Sequence, residues 1–135
     1  MRYAIVRIAF LLLVPASLAV AHHSVSGQFD ARDAKLYKVT GTLTKVDWIN
    51  PHIYFTVEQK DSAGKVVAHQ FENFPPSFWQ RQGVNKSAFK VGESITVEAY
   101  PSRDGTQTLG FAKVIHFHDG RVIATMTAES AQTAR

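Results

Sequence analysis

The stretch Val39-Thr40-Gly41-Thr42-Leu43-Thr44-Lys45-Val46-Asp47-Trp48, residues 39–48, decides the kind of fold. Its apolar or small positions are odd-numbered at Val39, Gly41 and Leu43, then even-numbered at Val46 and Trp48. Side chains of a strand alternate with a period of two, so parity cannot switch without an inserted residue or a sharp bend. The pattern predicts a bulge near Thr44-Lys45 in one long first strand that begins at Leu36. Such a strand can serve both sides of a small barrel, which suits a curled, closing sheet better than a flat one.

Downstream, Asn50-Pro51 turns the chain into a second strand, with Ile53, Phe55 and Val57 on one face and His52, Tyr54, Thr56 and Glu58 on the other. Asp61 to Gly64 reads as a hairpin loop and Lys65 to Phe71 as the returning strand. Residues 75–83, with prolines at the start and Gly83 at the end, predict a short helix that plugs the barrel with Phe78 or Trp79. Ile95, Val97 and Ala99 alternate in a fourth strand. A fifth runs from about Thr108 to His118, and Asp119-Gly120 turns into a short sixth from Arg121 to Ala124. The expectation is a mainly β chain forming a small OB-like closed or nearly closed β-barrel, with one short helix between strands three and four. Its expected core is Val39, Leu43, Val46, Ile53, Phe55, Val57, Ile95, Val97, Phe111 and Ile115.

Upstream, residues 1–21 have a basic start, an apolar run from Ile8 to Val20, and small residues at Ala19 and Ala21, the three-part pattern of a cleaved signal peptide. The run is short for a spanning helix and contains Pro15, so a permanent membrane anchor is not expected. Cleavage after Ala21 would release a periplasmic protein starting at His22. It would have an extended leader over residues 22–35, the barrel over 36–124 and a disordered tail over 125–135. Removing the signal takes Arg2 and Arg7 and no acid, so 15 basic against 11 acidic residues becomes 13 against 11. So small an excess, without a Lys/Arg stripe, does not suit nucleic acid as a partner. The absence of cysteine excludes disulfides, thiolate metal sites and covalent c-type haem.

His22-His23-Ser24, Phe29-Asp30, the run from Gly41 to His52 with its Trp48-Ile49-Asn50-Pro51-His52, Arg81-Gln82-Gly83, Val91-Gly92, Pro101 to Gly105 and Asp119-Gly120-Arg121 together resemble a family of uncharacterised bacterial exported proteins. The resemblance spans nearly the whole mature chain. It implies an exported β-domain and carries no activity or ligand.

Among residues that could carry chemistry, His22 stands first. As a terminal residue it would offer its α-amine and a ring nitrogen in one chelating unit, suited to Cu(II), which favours nitrogen and oxygen donors and tops the divalent affinity order. His52 or His23 would complete the set. The competing structural readings are a mobile terminus for His22 and His23 and a backbone hydrogen bond for His52. His116 and His118 share a strand face, where an exposed polar surface is the simpler reading, and His69 is expected to be partly buried and hydrogen-bonded. Glu58, Glu72 and Glu98 read as solvated strand faces. No nucleophile elbow, phosphate loop or cysteine nucleophile supports catalysis, and a copper oxidoreductase would need an open coordination position besides. The alternative function is an OB-type module binding a small molecule or protein through exposed Trp48, Tyr54 and Tyr100 with Arg103 and Asp104, at the barrel end that holds His52.

Overall fold

The computed structural model describes residues 25–125. Five strands close a barrel: β1 (Tyr37–Asp47), β2 (Ile53–Lys60), β3 (Val66–Asn73), β4 (Ser94–Pro101) and β5 (Leu109–Phe117). β1 pairs antiparallel with β4 from Tyr37↔Ala99 to Thr42↔Ser94, and with β2 from Thr42↔Glu58 to Asp47↔Tyr54. β3 closes the ring by a parallel pairing with β5, Gln70–Glu72 against Leu109–Phe111. The order around the barrel, β1-β2-β3-β5-β4, is the OB order, and β6 (Val122–Ala124) adds an antiparallel strand outside β5.

The change of partner along β1 rests on the expected bulge. Leu43 pairs with Val57 and Lys45 with Thr56, which leaves Thr44 as the extra residue. Val39 and Leu43 therefore face inward before the bulge and Val46 after it, although their parity differs. All ten expected core residues are buried. The short helix α2 (Pro76–Arg81) closes one end with Trp79, whose ring lies 6.2 Å from Trp48, 6.1 Å from Phe55 and 5.6 Å from Phe89.

A second cluster, Phe29, Tyr100 and Phe111, lies on the outside of the wall. Strand alternation turns Phe71, Ala99 and Ala112 inward, so Glu72, Tyr100 and Phe111 face out. The leader covers this face. It is a helical turn over Val25–Gln28 and a 3-10 turn over Asp33–Lys35, not the expected extended run. Phe29 pairs with Ser102 and sets its ring 5.6 Å from Phe111, as buried as the barrel core. Outward-facing aromatics need an apolar cover, and the leader's few apolar residues supply it. At the other end, Thr125 is buried and its hydroxyl bonds to the carbonyls of Ala112 and Lys113, so order reaches one residue into the stretch expected as tail. Residues 126–135 lie outside the described residues.

Tyr37 presses its hydroxyl against Gly110, where a Cβ would come within 2.4 Å of the oxygen. The hydroxyl has no hydrogen-bond partner, and burial pushes its pKa up to about 12. With a folded pKa raised above the unfolded 10, its contribution is complete below pH 10 and is lost as pH rises toward 12. Urea midpoints measured between pH 9 and 12 should therefore fall less steeply in Tyr37→Phe than in the parent. Parallel curves would show that this phenol does not drive the loss.

Candidate functional site

The turn after β1 passes through a cis Asn50–Pro51 peptide and delivers His52 to the outer face at the start of β2. There the His52 ring nitrogen Nδ1 meets Glu72 Oε1 on β3. Only 7% of the Glu72 side chain is exposed, against 31% of His52. Tyr54 stands directly across from Glu72 in the β2–β3 ladder, beside the same carboxylate. Burial first, then the neighbouring Glu72 charge, push the Tyr54 phenol's pKa up. A buried carboxylate is costly without partners, and His52 supplies one.

The next residue fixes where β3 ends. Asn73, fully buried, donates from Nδ2 to the Ala112 carbonyl at 2.7 Å and accepts the Phe74 N–H at 2.7 Å through Oδ1. This bond ties β3 to β5 beside Glu72. Four residues then stand side by side on the outer wall in successive register: Tyr54 on β2, Glu72 on β3, Phe111 on β5 and Tyr100 on β4.

Most of the other expected site residues have partners of their own. Tyr100 is buried rather than exposed, and its hydroxyl donates to Asp33 at 2.7 Å. Trp48 is half-buried against Trp79 and Phe89 and belongs to the core. Arg103 donates from Nε to the carbonyls of Ser26 at 2.8 Å and Phe29 at 3.1 Å, while Asp104 accepts from Ser102 Oγ and the Thr106 N–H at 2.8 Å each. These two residues hold the leader and their own loop, and His52 has Glu72 instead. His22 and His23 lie outside the described residues.

Glu72 is the residue that strand alternation misread as a solvated face. Outward on a strand usually means wet, but here Glu72 is buried, with His52 on its carboxylate and Tyr54 and Phe111 beside it in register. Its flanking Phe71 and Phe74 were the available signal. His69 departs from expectation too: its Nδ1 is buried without a hydrogen-bond partner, the ring stacks 6.3 Å from Phe71, and burial lowers its pKa. His116 contacts Glu98 at 3.0 Å on the open face, where Lys38 shares the carboxylate at 2.9 Å. Elsewhere, a groove of about 450 Å³ opens where β1 parts from β2, lined by Thr40, Gly41, Thr42, Glu58 and Lys60 among others, and none of the expected site residues borders it.

Among the described residues no three His, Asp or Glu side chains converge as a complete metal centre. What the geometry does offer is one oriented imidazole. With Nδ1 engaged by a buried carboxylate, the ring's orientation is set and Nε2 is the nitrogen available to a ligand, the arrangement that commonly backs a metal-binding histidine.

No curated protein and no solved structure matches the chain. A family model does, over residues 11–111, and the chain accordingly belongs to the family of unknown function DUF6152.

Proposed function

We propose that this is an exported bacterial protein of the periplasm that binds one copper(II) ion through the α-amine and ring of a mature N-terminal His22, with His52 or His23 completing the set. The observation that carries the reading is the His52–Glu72 pair: a carboxylate that holds one ring nitrogen raises the donor strength of the other and fixes its direction. A second observation supports it. The described chain begins at Val25, packed on the cluster of Phe29, Tyr100 and Phe111, and Phe111 is the register neighbour of Glu72. Three chain steps lead from Val25 to His22, and at about 3.3 Å each they reach at most about 10 Å. Deprotonating the α-amine at pH 7 costs about 1 kcal/mol, which two-point chelation offsets.

The binding-module reading is less well supported, because Trp48, Tyr100, Arg103 and Asp104 all have internal partners.

Copper(II) titration of the chain starting at His22 tests the proposal. One equivalent should bind. His52→Ala, or one Met placed before His22, should weaken binding by roughly tenfold or more, and His116→Ala or His118→Ala should change it little. Equal affinity in the Met-extended chain would remove the amine from the ligand set and return the module reading to first place.

A further inference from the structure

We propose that the groove between β1 and β2 takes an extended peptide of a partner protein, which adds to the open edge of β1 as a strand and sets an acidic side chain between Lys38 and Lys60. The site is separate from His52 and Glu72 and serves whether or not the chain binds copper(II).

The groove exists because β1 changes partner. From Thr42 to Asp47 it pairs with β2, and from Tyr37 to Thr42 with β4. Within a strand both backbone groups of a residue point to one side, and the side alternates along the chain. Leu43 sends its N–H to the Glu93 carbonyl at 3.0 Å and takes the Gly92 N–H at 2.8 Å, so the odd-numbered residues of this stretch bond on the β4 side. Lys38, Thr40 and Thr42 therefore present their backbone groups toward β2. Thr42 meets Glu58 there, whereas Thr40 and Lys38 have no β2 partner in the ladder among the described residues. The facing wall follows the same alternation. Asp61 N–H bonds to the Lys65 carbonyl across the hairpin, so Lys60, one residue earlier, turns its backbone groups away from β3 and into the groove. Gly41 marks the closed end, where a Cβ would lie 2.2 Å from the Glu58 carbonyl oxygen.

Open backbone donors and acceptors on both walls of a space of about 450 Å³ are the complement of another backbone. An extended chain supplies N–H and C=O groups at the strand's own spacing, and the four steps from Lys38 to Thr42, at about 3.4 Å each, accept about four residues. Charge selects among such chains. Lys38 and Thr40 on β1 and Lys60 on β2 all lie on the outer face, so an outward residue of the added strand near the mouth has a lysine on either side, and an acidic side chain suits both. Lys38 meets Glu98 at 2.9 Å and is still 67% exposed, which leaves its charge accessible. Toward the closed end the neighbours are Thr42 and Glu58, which favour a neutral residue. Exposed Val66, across from Lys60, adds apolar surface at the mouth. Lysines on an open edge discourage pairing with unselected strands, so the charges that protect this edge also choose its partner.

Titration of 15N-labelled protein with a blocked hexapeptide alternating Glu and Val, followed by amide chemical shifts, tests the proposal. The Lys38, Thr40 and Lys60 amides should move together, and a peptide with Lys in place of Glu should bind about tenfold more weakly. Methylating the peptide nitrogens keeps every charge and removes the main-chain donors, so it should abolish binding. Lys60→Glu should weaken the Glu peptide by roughly fivefold and narrow its advantage over the Lys peptide. Thr40→Pro removes a donor that faces the groove and no bond to β4, and should cost about fivefold, with melting as the check on folding. If that variant does not fold, Lys60→Glu and the methylated peptide carry the test. Equal binding of the methylated peptide would mean that charge alone holds it, and strand addition would be wrong. No movement of these amides at millimolar peptide would also overturn the proposal. Movement with protein concentration in the absence of peptide would make the occupant a second copy of this chain, and the assignment to a partner peptide would fall.

Discussion

Trp79→Ala should remove about 3–5 kcal/mol of folding stability, the range for truncating a buried Trp or Phe in a core. Trp79 is 1% exposed and is the one buried residue of α2. A six-residue helix cannot persist alone, so this ring is what binds α2 to the barrel. Around it lie Trp48, Phe55, Phe78 and Phe89, large flat groups that cannot collapse into the space without leaving their own contacts. The consequences extend toward the outer wall, because the tilted Phe78 ring lies 4.4 Å from Phe74 and Phe74 packs on Phe111. Indole Nε1 has no hydrogen-bond partner, so the loss is one of packing, and Trp79→Phe should cost much less than the alanine. Urea unfolding followed by far-UV circular dichroism measures both. A loss below about 1 kcal/mol for the alanine would mean that α2 is not a structural plug.

Gly41→Ala should be nearly as damaging, at about 3 kcal/mol, the upper part of the range for overpacking. A Cβ at this position would lie 2.2 Å from the Glu58 carbonyl oxygen and 3.0 Å from Val57 Cγ1. The oxygen belongs to the β2 backbone and cannot swing aside as a side chain would. Making room means prising β1 from β2 at Thr42↔Glu58, next to the bulge that lets β1 pair with both neighbours. Here glycine is needed for close approach, not for its backbone freedom. The same urea series reads the effect, and a Gly41→Ala variant within about 0.5 kcal/mol of the parent would show that the strands separate more easily than packed sheets do.

The barrel was legible because its information is local. The parity switch between Leu43 and Val46 lies within a few residues, and a period of two permits only a bulge or a bend as its cause. Alternation likewise found nine of the ten core positions inside the barrel, since inward and outward are properties of one strand at a time, whereas Phe111 is buried on the outer face under Phe29. The prolines and the terminal glycine bracketed α2 for the same reason.

The site was legible only by half. The sequence alone marked His52 as outward-facing at a turn, and alternation placed Tyr54 on its face. It could not say that Glu72 meets them, because alternation tells which way a side chain leaves its sheet and not what lies over it. That depends on the β2–β3 register and on Phe29 folding back onto Phe111, contacts between segments far apart in the chain. Tyr100 was misplaced on the same account, and the partners of Tyr100 and Arg103, namely Asp33, Ser26 and Phe29, stand more than 60 residues earlier. A strand's own pattern determines its inner face, whereas its outer face is decided by whichever distant segment finds its apolar and charged groups, and that choice belongs to the tertiary structure.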